Sequence, residues 1–542
     1  MLLVNTNAMH VPVHMTLSLD WLVPAGIALV GGYLLWAVIT FLSRKEHGIE
    51  NDADEKSYGR DPFDPLPIIG HWHIFGLRSR AGYMQWFLDR SKYVGAGKTW
   101  EYELPGFGYE LFTTDPVCIK HFSKSRVYAE VSKDFFGTGY GIPPSSTDPA
   151  ETRIIPLPTP NILLATGEHW HAQRNAVKAF VSPAALADIA DRILPRNLQR
   201  CYGIFDAAAE EGRVVDFEKV VADLMLSTFG EAAFGVDPEE LIAVVAEPFD
   251  RALEGISRRF VDPLWRFNAK LTPNGWKVAR AIATVKSYFR EMVSRSLAQI
   301  TLEDMEGTAV APSRAGYSYI RALLDSKEKI SKEDIADSCR TALVAGRDTT
   351  SDSITWTLYA LLRHPHYLRR AISEFDSLSS LPTTVPNSDL LSHLPFFHTV
   401  ISESLRLYPS VPLNLVDCSS SEPVVLPDGN IVEPDEDVLF SPWVMARLPE
   451  FWGPDAEEFR PERWEDMERK PSAYELPVFH AGPRSCLGQN LAKMEMAVTF
   501  KEMLTRYTFE MGWDGKERVM GEGITNPMLG GLPVRVRRRA KA

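Results

Sequence analysis

Residues 479–492 read FHAGPRSCLGQNLA, and this stretch carries the most specific chemical pattern in the chain. It places Cys486 after a Phe-x-x-Gly turn and directly before a helix-like run. A cysteine at a helix start lies near the positive end of the helix dipole and near unpaired backbone N–H groups. Both features stabilise a thiolate that can bind a metal. Taken alone, Cys486 is more typical of a small buried residue, so its role depends on motifs elsewhere in the chain.

Four other motifs precede this segment. Glu403 and Arg406 have the i,i+3 spacing that places both side chains on one face of a helix, and FRPERW at 459–464 adds Arg463. An isolated Glu-x-x-Arg pair would be a solvated surface pair, but the later arginine and the cysteine favour a connected network. The remaining two motifs are AGRDTT at 345–350 and WHAQR at 170–174.

Together these motifs resemble the cytochrome P450 superfamily. Residues 479–488 have the pattern F-x-x-G-x-R-x-C-x-G. This pattern resembles the family's haem-ligand signature and agrees with it at every fixed position. The resemblance covers residues 61–542, which we interpret as one catalytic domain. It implies the cytochrome P450 fold, which is mainly α with a minor β-sheet.

The resemblance also implies a b-type haem with Cys486 as its axial ligand. A thiolate in that position pushes electron density onto iron and favours O–O bond cleavage. Trp170, Arg174 and Arg484 are expected to hold the haem propionates through charge-assisted and N–H hydrogen bonds. The remaining residues expected to surround the haem on this side are Phe479, Gly482 and Gly488.

On the opposite side of the haem, the resemblance assigns the AGRDTT motif to oxygen activation. Gly346 would leave room for dioxygen, Thr349 would hold a water molecule, and Asp348 would relay protons inward. The alternative for Thr349 is structural, because a threonine within a helix commonly bonds back to the carbonyl four residues earlier.

One departure from the family pattern concerns the segment after the Glu-x-x-Arg helix. Many relatives carry a basic residue there that meets a propionate, but no Lys or Arg occurs from Leu407 to Asp437. The expected propionate contacts therefore depend more heavily on Arg174 and Arg484.

The N-terminal part of the chain contains a charge-free run, WLVPAGIALVGGYLLWAVITFL, at 21–42. Twenty-two helical residues span about 33 Å, enough to cross the hydrocarbon core of a bilayer. A signal peptide or a buried core helix are the alternatives. However, the run is long for a signal peptide, and the basic pair Arg44-Lys45 follows it rather than precedes it. We therefore predict a retained transmembrane helix.

The positive charges after this run predict its orientation. The positive-inside rule places residues 1–20 in the lumen and everything after Arg44 in the cytoplasm. The polar segment 43–60 then forms a linker to the catalytic domain. The prediction is a single-pass protein of the endoplasmic reticulum membrane that contacts membrane lipid.

Composition limits the other function classes. The 542 residues include 58 Lys plus Arg and 71 Asp plus Glu, and the net charge of −13 argues against a nucleic-acid partner. The five cysteines are odd in number and widely scattered, which does not indicate a disulfide framework. A reducing compartment is therefore expected for the main domain.

Apolar periodicity supports a mainly helical domain. A hairpin is expected at 424–432 around Asp428-Gly429, and 131–160 is rich in Pro, Ser and Gly, which predicts a long loop. The predicted helices cover 186–210, 216–234, 275–300, 332–362, 365–379, 389–407 and 488–505.

The functional hypothesis is a monooxygenase that hydroxylates an apolar substrate with O2 and with electrons from NADPH through NADPH-cytochrome P450 reductase. The sequences AGRDTT (345–350) and RRFVDPLWRF (258–267) resemble those of fungal alkane and fatty-acid hydroxylases and of plant fatty-acid omega-hydroxylases. An intermediate of fungal secondary metabolism is the other substrate class. Two different functions remain as alternatives: a haem-thiolate isomerase or dehydratase that needs no external electrons, and a non-enzymatic haem-binding membrane protein.

Overall fold

The computed structural model describes most of the chain after residue 78. The described residues are 79–104, 108–124, 162–163, 167–258, 265–306, 318–326, 330–381, 383–417, 422–434, 436–512, 515 and 517–539. The predicted segments 1–20, 21–42, 43–60 and 131–160 lie outside them. Within the described ranges, no helix combines the length and the apolar character needed to cross a membrane.

Helices dominate the described residues, as the sequence predicts. They are α1 (Arg80–Val94), α2 (Pro116–Lys124), α3 (Gly167–Phe180), α4 (Pro183–Asp188), α5 (Leu194–Glu211), α6 (Phe217–Phe234), α7 (Pro238–Leu241), α8 (Glu247–Arg258), α9 (Trp265–Leu271), α10 (Pro273–Glu306), α11 (Ser318–Leu324), α12 (Lys332–Arg363), α13 (Pro365–Ser377), α14 (Pro395–Leu407), α15 (Pro442–Met445), α16 (Pro449–Trp452), α17 (Arg463–Asp466) and α18 (Gln489–Arg506). Short π-helical turns at 189–193 and 242–246 lead into α5 and α8, and 3₁₀ turns occupy 378–380, 387–393 and 482–484.

The strands of the described residues form three small sheets. They are β1 (Thr99–Leu104), β2 (Gly108–Thr113), β3 (Val214–Asp216), β4 (Asn414–Asp417), β5 (Val424–Val425), β6 (Ile431–Val432), β7 (Asp437–Phe440), β8 (Tyr507–Met511) and β9 (Pro533–Arg538). The largest sheet has the order β1-β2-β7-β4, with a parallel β2–β7 pair between two antiparallel pairs. The other sheets are β3-β9-β8 and the β5–β6 hairpin, where Gly429 has φ +90° in the predicted turn.

The long helix α12 lies at the centre of the helical part. Its N-terminus is defined by a capping box, in which Ser331 and Asp334 satisfy each other's backbone N–H groups. Most of its length is buried, and it packs against α6, α10 and α14. Many of its buried residues are Thr or Ser, and hydroxyls such as those of Thr341 and Thr357 bond back to the carbonyl four residues earlier. These bonds allow a polar sequence to occupy the core.

The predicted Glu-Arg-Arg network is confirmed and buried. Glu403 and Arg406 in α14 are both 0% exposed, and two nitrogens of Arg406 donate to the two carboxylate oxygens of Glu403 at 2.8 Å. Arg463 Nε lies 3.4 Å from Glu403 Oε1, and the Trp464 indole donates to Oε2 at 3.0 Å. The backbone N–H of Arg460 also donates to Oε1, at 2.9 Å.

Arg406 extends this network to the chain segment between α15 and α17. Its guanidinium donates to the carbonyls of Ala446, Ala456 and Glu458. It also lies over the ring of Trp452, with Cζ 4.8 Å from the ring centroid. The irregular segment that leads toward the cysteine loop is therefore held by one helix through buried charges.

We predict that Glu403→Gln destabilises the domain severely. Removing one partner of a buried ion pair leaves uncompensated charge and costs about 3–5 kcal/mol. Urea titration followed by circular dichroism measures the change in the free energy of unfolding. Glu457→Gln is the control, because Glu457 forms an exposed pair with Lys92 that is worth about 0–1 kcal/mol. Equal stability of the two variants would contradict the structural role of the network.

Candidate active site

Cys486 lies in a short loop between the 3₁₀ turn at 482–484 and the start of α18. Its backbone N–H donates to the carbonyl of Phe479 at 2.8 Å, which closes the loop. The backbone N–H groups of Gly488 and Gln489 bond to the thiol, as expected at the N-terminus of a helix. The loop therefore directs main-chain donors at a single sulfur atom.

The electrostatics of Cys486 combine two opposing effects. Burial among surrounding protein atoms raises the pKa of the thiol, while the two backbone N–H groups and Arg174 lower it. The side chain is nonetheless exposed, whereas Cys118, Cys201 and Cys339 are buried. This combination is typical of a side chain in a recess, enclosed by protein but open on one side. A bound metal cation would deprotonate such a thiol.

Glycine is required at position 482 by the backbone conformation of the loop and by the close approach of α2. It has φ +67°, which favours glycine, and an added Cβ would lie 2.8 Å from the carbonyl oxygen of Ser123 in α2. The structure thus explains Gly482 by its contact with α2, a reason that the sequence analysis did not foresee. For Gly488, an added Cβ would lie at an ordinary 3.7 Å from the Cys486 sulfur.

Trp170, Arg174 and Arg484 come together at the cysteine loop, and their expected role in holding propionates stays a prediction. Both guanidinium groups lie over the buried Trp170 ring, with Cζ-to-centroid distances of 5.2 Å for Arg174 and 4.6 Å for Arg484. Arg174 also donates to the carbonyl of Ser485 at 3.1 Å, which ties α3 to the loop. Two cations are therefore held on one aromatic ring next to the thiol, an arrangement suited to a ligand with carboxylates.

Asp348 and Thr349 occupy the predicted positions on α12, but they differ in surroundings. Asp348 is buried and paired with its neighbour Arg347, whose Nη1 lies 2.9 Å from the carboxylate. Thr349 is half-buried, and its hydroxyl donates to the carbonyl of Ala345 at 2.6 Å. This is the bond to the carbonyl four residues earlier that a purely structural threonine makes. The hydroxyl oxygen of Thr349 remains able to accept a hydrogen bond.

The carbonyl of Thr349 is tied to the chain that follows α14. The Ser410 hydroxyl donates to this carbonyl at 2.7 Å and lies 2.8 Å from the hydroxyl of Ser353. The Ser353 hydroxyl donates to the same carbonyl at 2.8 Å. These bonds hold the helix backbone at the position of the acid–alcohol pair.

Gly346 has a packing role that the sequence analysis missed. An added Cβ would lie 2.1 Å from a ring atom of Phe229 in α6, so only glycine allows the two helices to approach this closely. The expected role of Gly346 in leaving room for dioxygen stays a prediction.

The sequence did not predict three further carboxyl groups on α12 or on the helices packed against it, of which Asp352 and Glu495 are buried and Glu218 is half-buried. Burial raises the pKa of Glu218 to about 7, that of Glu495 to about 8, and that of Asp352 well above its usual value. The side chain of Glu495 in α18 bonds to Thr350, so the helix that follows the cysteine directly contacts the helix of the acid–alcohol pair. The i,i+4 spacing of Asp348 and Asp352 was the only signal in the sequence.

Comparison with known proteins agrees with this geometry. The family model for cytochrome P450 matches residues 141–530. The chain belongs to the cytochrome P450 family. The P450 is accordingly a haem-dependent oxidoreductase of the monooxygenase type, and its family uses a cysteine thiolate ligand, O2, and electrons from NADPH that reach it through a redox partner.

Curated relatives cover most of the P450 at modest identity. Cytochrome P450 94A2 of Vicia sativa is 27% identical over 512 residues, 88% of this chain and 92% of the relative. Cytochrome P450 monooxygenase cyp1 of Mycosarcoma maydis is 26% identical, covering 87% and 74%. The chloroplastic carotene epsilon-monooxygenase of Arabidopsis thaliana is 28% identical, covering 79% and 78%.

The residues of the cysteine loop fit a haem. An accessible sulfur with two N–H donors and a nearby cation suits a thiolate ligand, and the Arg174–Trp170–Arg484 cluster offers cations to propionates. Cys486 is thus the residue expected to bind iron, and the two arginines are expected to orient the ring.

We predict that Cys486→Ser abolishes the red-shifted Soret band that thiolate ligation gives to the reduced, carbon-monoxide-bound P450. Absorbance spectra of the purified protein test this directly. Cys118→Ser is the control, because the Cys118 thiol donates to Asp115 at 3.3 Å and a serine hydroxyl can replace that bond. A normal Soret band in Cys486→Ser would exclude Cys486 as the ligand.

Proposed function

We propose that this P450 is a single-pass membrane protein that hydroxylates a long aliphatic substrate. In this proposal, NADPH-cytochrome P450 reductase supplies the electrons. The observation that carries the proposal is the exposed Cys486 at the start of α18, because α18 packs against α12, the helix that carries the Asp348–Thr349 pair. An electron carrier or a passive haem carrier has no need for a proton-relay pair on that helix.

On the cysteine side, the chain binds and orients the cofactor. When bound, the haem supplies the redox chemistry that activates dioxygen. Backbone N–H groups of Gly488 and Gln489 stabilise the charge on Cys486. Arg174 holds its charge close to the same sulfur and is anchored to the Ser485 carbonyl. Hydrogen bonds and charge of this kind tune the potential of a thiolate-ligated iron.

On the α12 side, the chain moves protons. Burial raises the pKa of Asp348 to about 6, so its carboxyl can gain and lose a proton near neutral pH. Because the Thr349 hydrogen is donated to Ala345, the hydroxyl oxygen is left as an acceptor that can orient a water molecule. Asp348 then supplies the proton and Thr349 positions the water that carries it to the site where dioxygen is reduced.

The proposed substrate class is supported by the sequences of two motifs and by the name of one relative. AGRDTT and the 258–267 segment resemble fatty-acid and alkane hydroxylases. The name of the Arabidopsis relative specifies carotene, which is also a long apolar hydrocarbon. An apolar intermediate of fungal secondary metabolism is the second candidate, because substrate pockets diverge on a shared fold.

The membrane part of the proposal rests on the sequence. The charge-free run 21–42 and the Arg44-Lys45 pair support an anchor in the endoplasmic reticulum membrane, with the catalytic domain in the cytoplasm. Lipid contact would place the domain where apolar substrates and a membrane-bound reductase are concentrated.

We predict product formation only when NADPH and NADPH-cytochrome P450 reductase are both present. The purified P450 is incubated with fatty acids, alkanes and terpenoids, and product masses are measured. A gain of 16 Da on an aliphatic substrate supports hydroxylation. Turnover of a peroxide substrate without NADPH would favour the isomerase or dehydratase, and haem binding without any turnover would favour the non-enzymatic alternative.

We predict that Thr349→Ala separates NADPH consumption from product formation. NADPH oxidation should continue while product falls about 10²-fold and hydrogen peroxide rises, because general acid steps are worth roughly that much. Thr341→Ala is the control, since Thr341 on the same helix makes the same i−4 bond at 3.1 Å. Unchanged product per NADPH in Thr349→Ala would leave only the structural role.

We predict that deleting residues 1–43 weakens membrane attachment but leaves a haem-loaded fold. Membrane flotation measures attachment, and the reduced, carbon-monoxide-bound spectrum measures haem. The 18-residue linker 43–60 separates the run from the domain, so its loss should not reach the cysteine loop. Loss of the haem spectrum would mean that the run belongs to the domain core.

A further inference from the structure

Arg347 connects the buried acid of α12 to a second helix. The arginine side chain is only 3% exposed and makes two ion pairs. One nitrogen, Nη1, lies 2.9 Å from Asp348 on its own helix, and the other, Nη2, lies 2.6 Å from Asp250 of α8. A single guanidinium is therefore shared between two carboxylates.

The two carboxylates differ in their access to solvent. The Asp348 side chain is 12% exposed, whereas that of Asp250 is 45% exposed. The ring of Phe249, the residue before Asp250, lies against the guanidinium with a Cζ-to-centroid distance of 5.3 Å. α8 thus contributes both a charge and an aromatic ring to the surroundings of Arg347.

Other charged groups face this pair from α6 and α12. Asp223 and Glu218 of α6 act on Arg347, and Asp352 lies one turn along α12 from Asp348. Lys219 of α6 lies 3.8 Å from Asp250 on the solvent side. Arg347 is therefore one cation among several carboxyl groups, and it is one of the influences on the charge state of Asp348.

The sign of each effect on Asp348 follows from Coulomb's law. Burial raises the pKa of Asp348, the adjacent Arg347 lowers it, and Asp250 raises it again. Asp250 acts through its own negative charge and by holding one end of the guanidinium. Without Asp250, Arg347 would neutralise Asp348 more fully and favour its ionised form.

We propose that Asp250 is a positioning residue for proton delivery: by holding Nη2 of Arg347, it prevents the guanidinium from pairing fully with Asp348 and keeps that carboxyl able to exchange a proton. The inference rests on the proposed role of Asp348 and extends it to a residue on another helix. It also means that the position of α8 controls the acid on α12, because a shift of α8 would alter the Asp250–Arg347 pair.

The test compares Asp250→Asn with the wild-type P450 through a readout other than turnover. The carbon monoxide stretching frequency of the reduced complex, measured by infrared spectroscopy between pH 5 and 8, responds to nearby charges. We expect a transition near pH 6 in the wild type that is absent from Asp348→Asn. In Asp250→Asn the midpoint should fall by about one pH unit, since an opposite charge within about 4–6 Å shifts a carboxyl pKa by about 1–3 units.

Turnover gives a second, independent readout. A midpoint one unit lower reduces the protonated fraction of Asp348 at pH 7 about tenfold. Product per NADPH at pH 7 should therefore fall up to about tenfold in Asp250→Asn and recover as the pH is lowered. A purely structural defect would not recover in this way. Asp250→Glu, which keeps the charge, should restore the wild-type profile.

Glu247→Gln is the matched control. Glu247 lies on α8 and forms an exposed ion pair with Arg251, so its loss changes the surface charge of the same helix without touching Arg347. An unchanged midpoint in Asp250→Asn, or an equal shift in Glu247→Gln, would overturn the role of Asp250 while leaving that of Asp348 intact. A transition near pH 6 that persists in Asp348→Asn would overturn both.

Discussion

The buried carboxylate of Glu403 is the interaction on which the rest of the domain depends. It accepts hydrogen bonds from two guanidinium groups, an indole and a backbone amide. A charge buried in this way costs several kcal/mol unless every partner is in place. The network therefore forms only in one arrangement, which sets the path of the irregular chain between β7 and the cysteine loop. Regular secondary structure could not specify that path, because this segment contains only single helical turns.

Specific contacts also fix the conformation of the cysteine loop, although the loop has no regular secondary structure around Cys486. Its closure depends on one backbone bond from Cys486 to Phe479, on the positive φ of Gly482, and on contacts to α2 and α3. Each contact comes from a different part of the chain. The thiol is consequently held in a recess, where backbone donors and one cation act on it more strongly than they would in water.

The α12 side of the site is controlled by the distribution of charge rather than by shape. Four carboxyl groups with raised pKa values, Asp348, Asp352, Glu218 and Glu495, lie on α12 or on the helices packed against it. Burial makes their charged forms costly, and Arg347 offsets part of that cost for two of them, Asp348 and Glu218. The charge state of Asp348 therefore depends on the cation and the carboxylates around it as well as on its burial.

Local patterns in the sequence predicted the family and most of the helices, and they also supplied the candidate site residues. The helix predicted at 332–362 is observed at Lys332–Arg363, and the hairpin turn at Asp428-Gly429 is confirmed. The predicted helix boundaries were less accurate where a turn interrupts the helical pattern. The helix predicted at 389–407, for example, is a 3₁₀ turn followed by α14. The membrane segment and the 131–160 loop stay predictions. Only the tertiary structure showed that Gly346 meets Phe229, that Gly482 meets Ser123, and that Asp250 shares Arg347 with Asp348. These pairs are distant in sequence and carry no periodic signal, because long-range contacts arise from how helices pack and not from the residues within one helix.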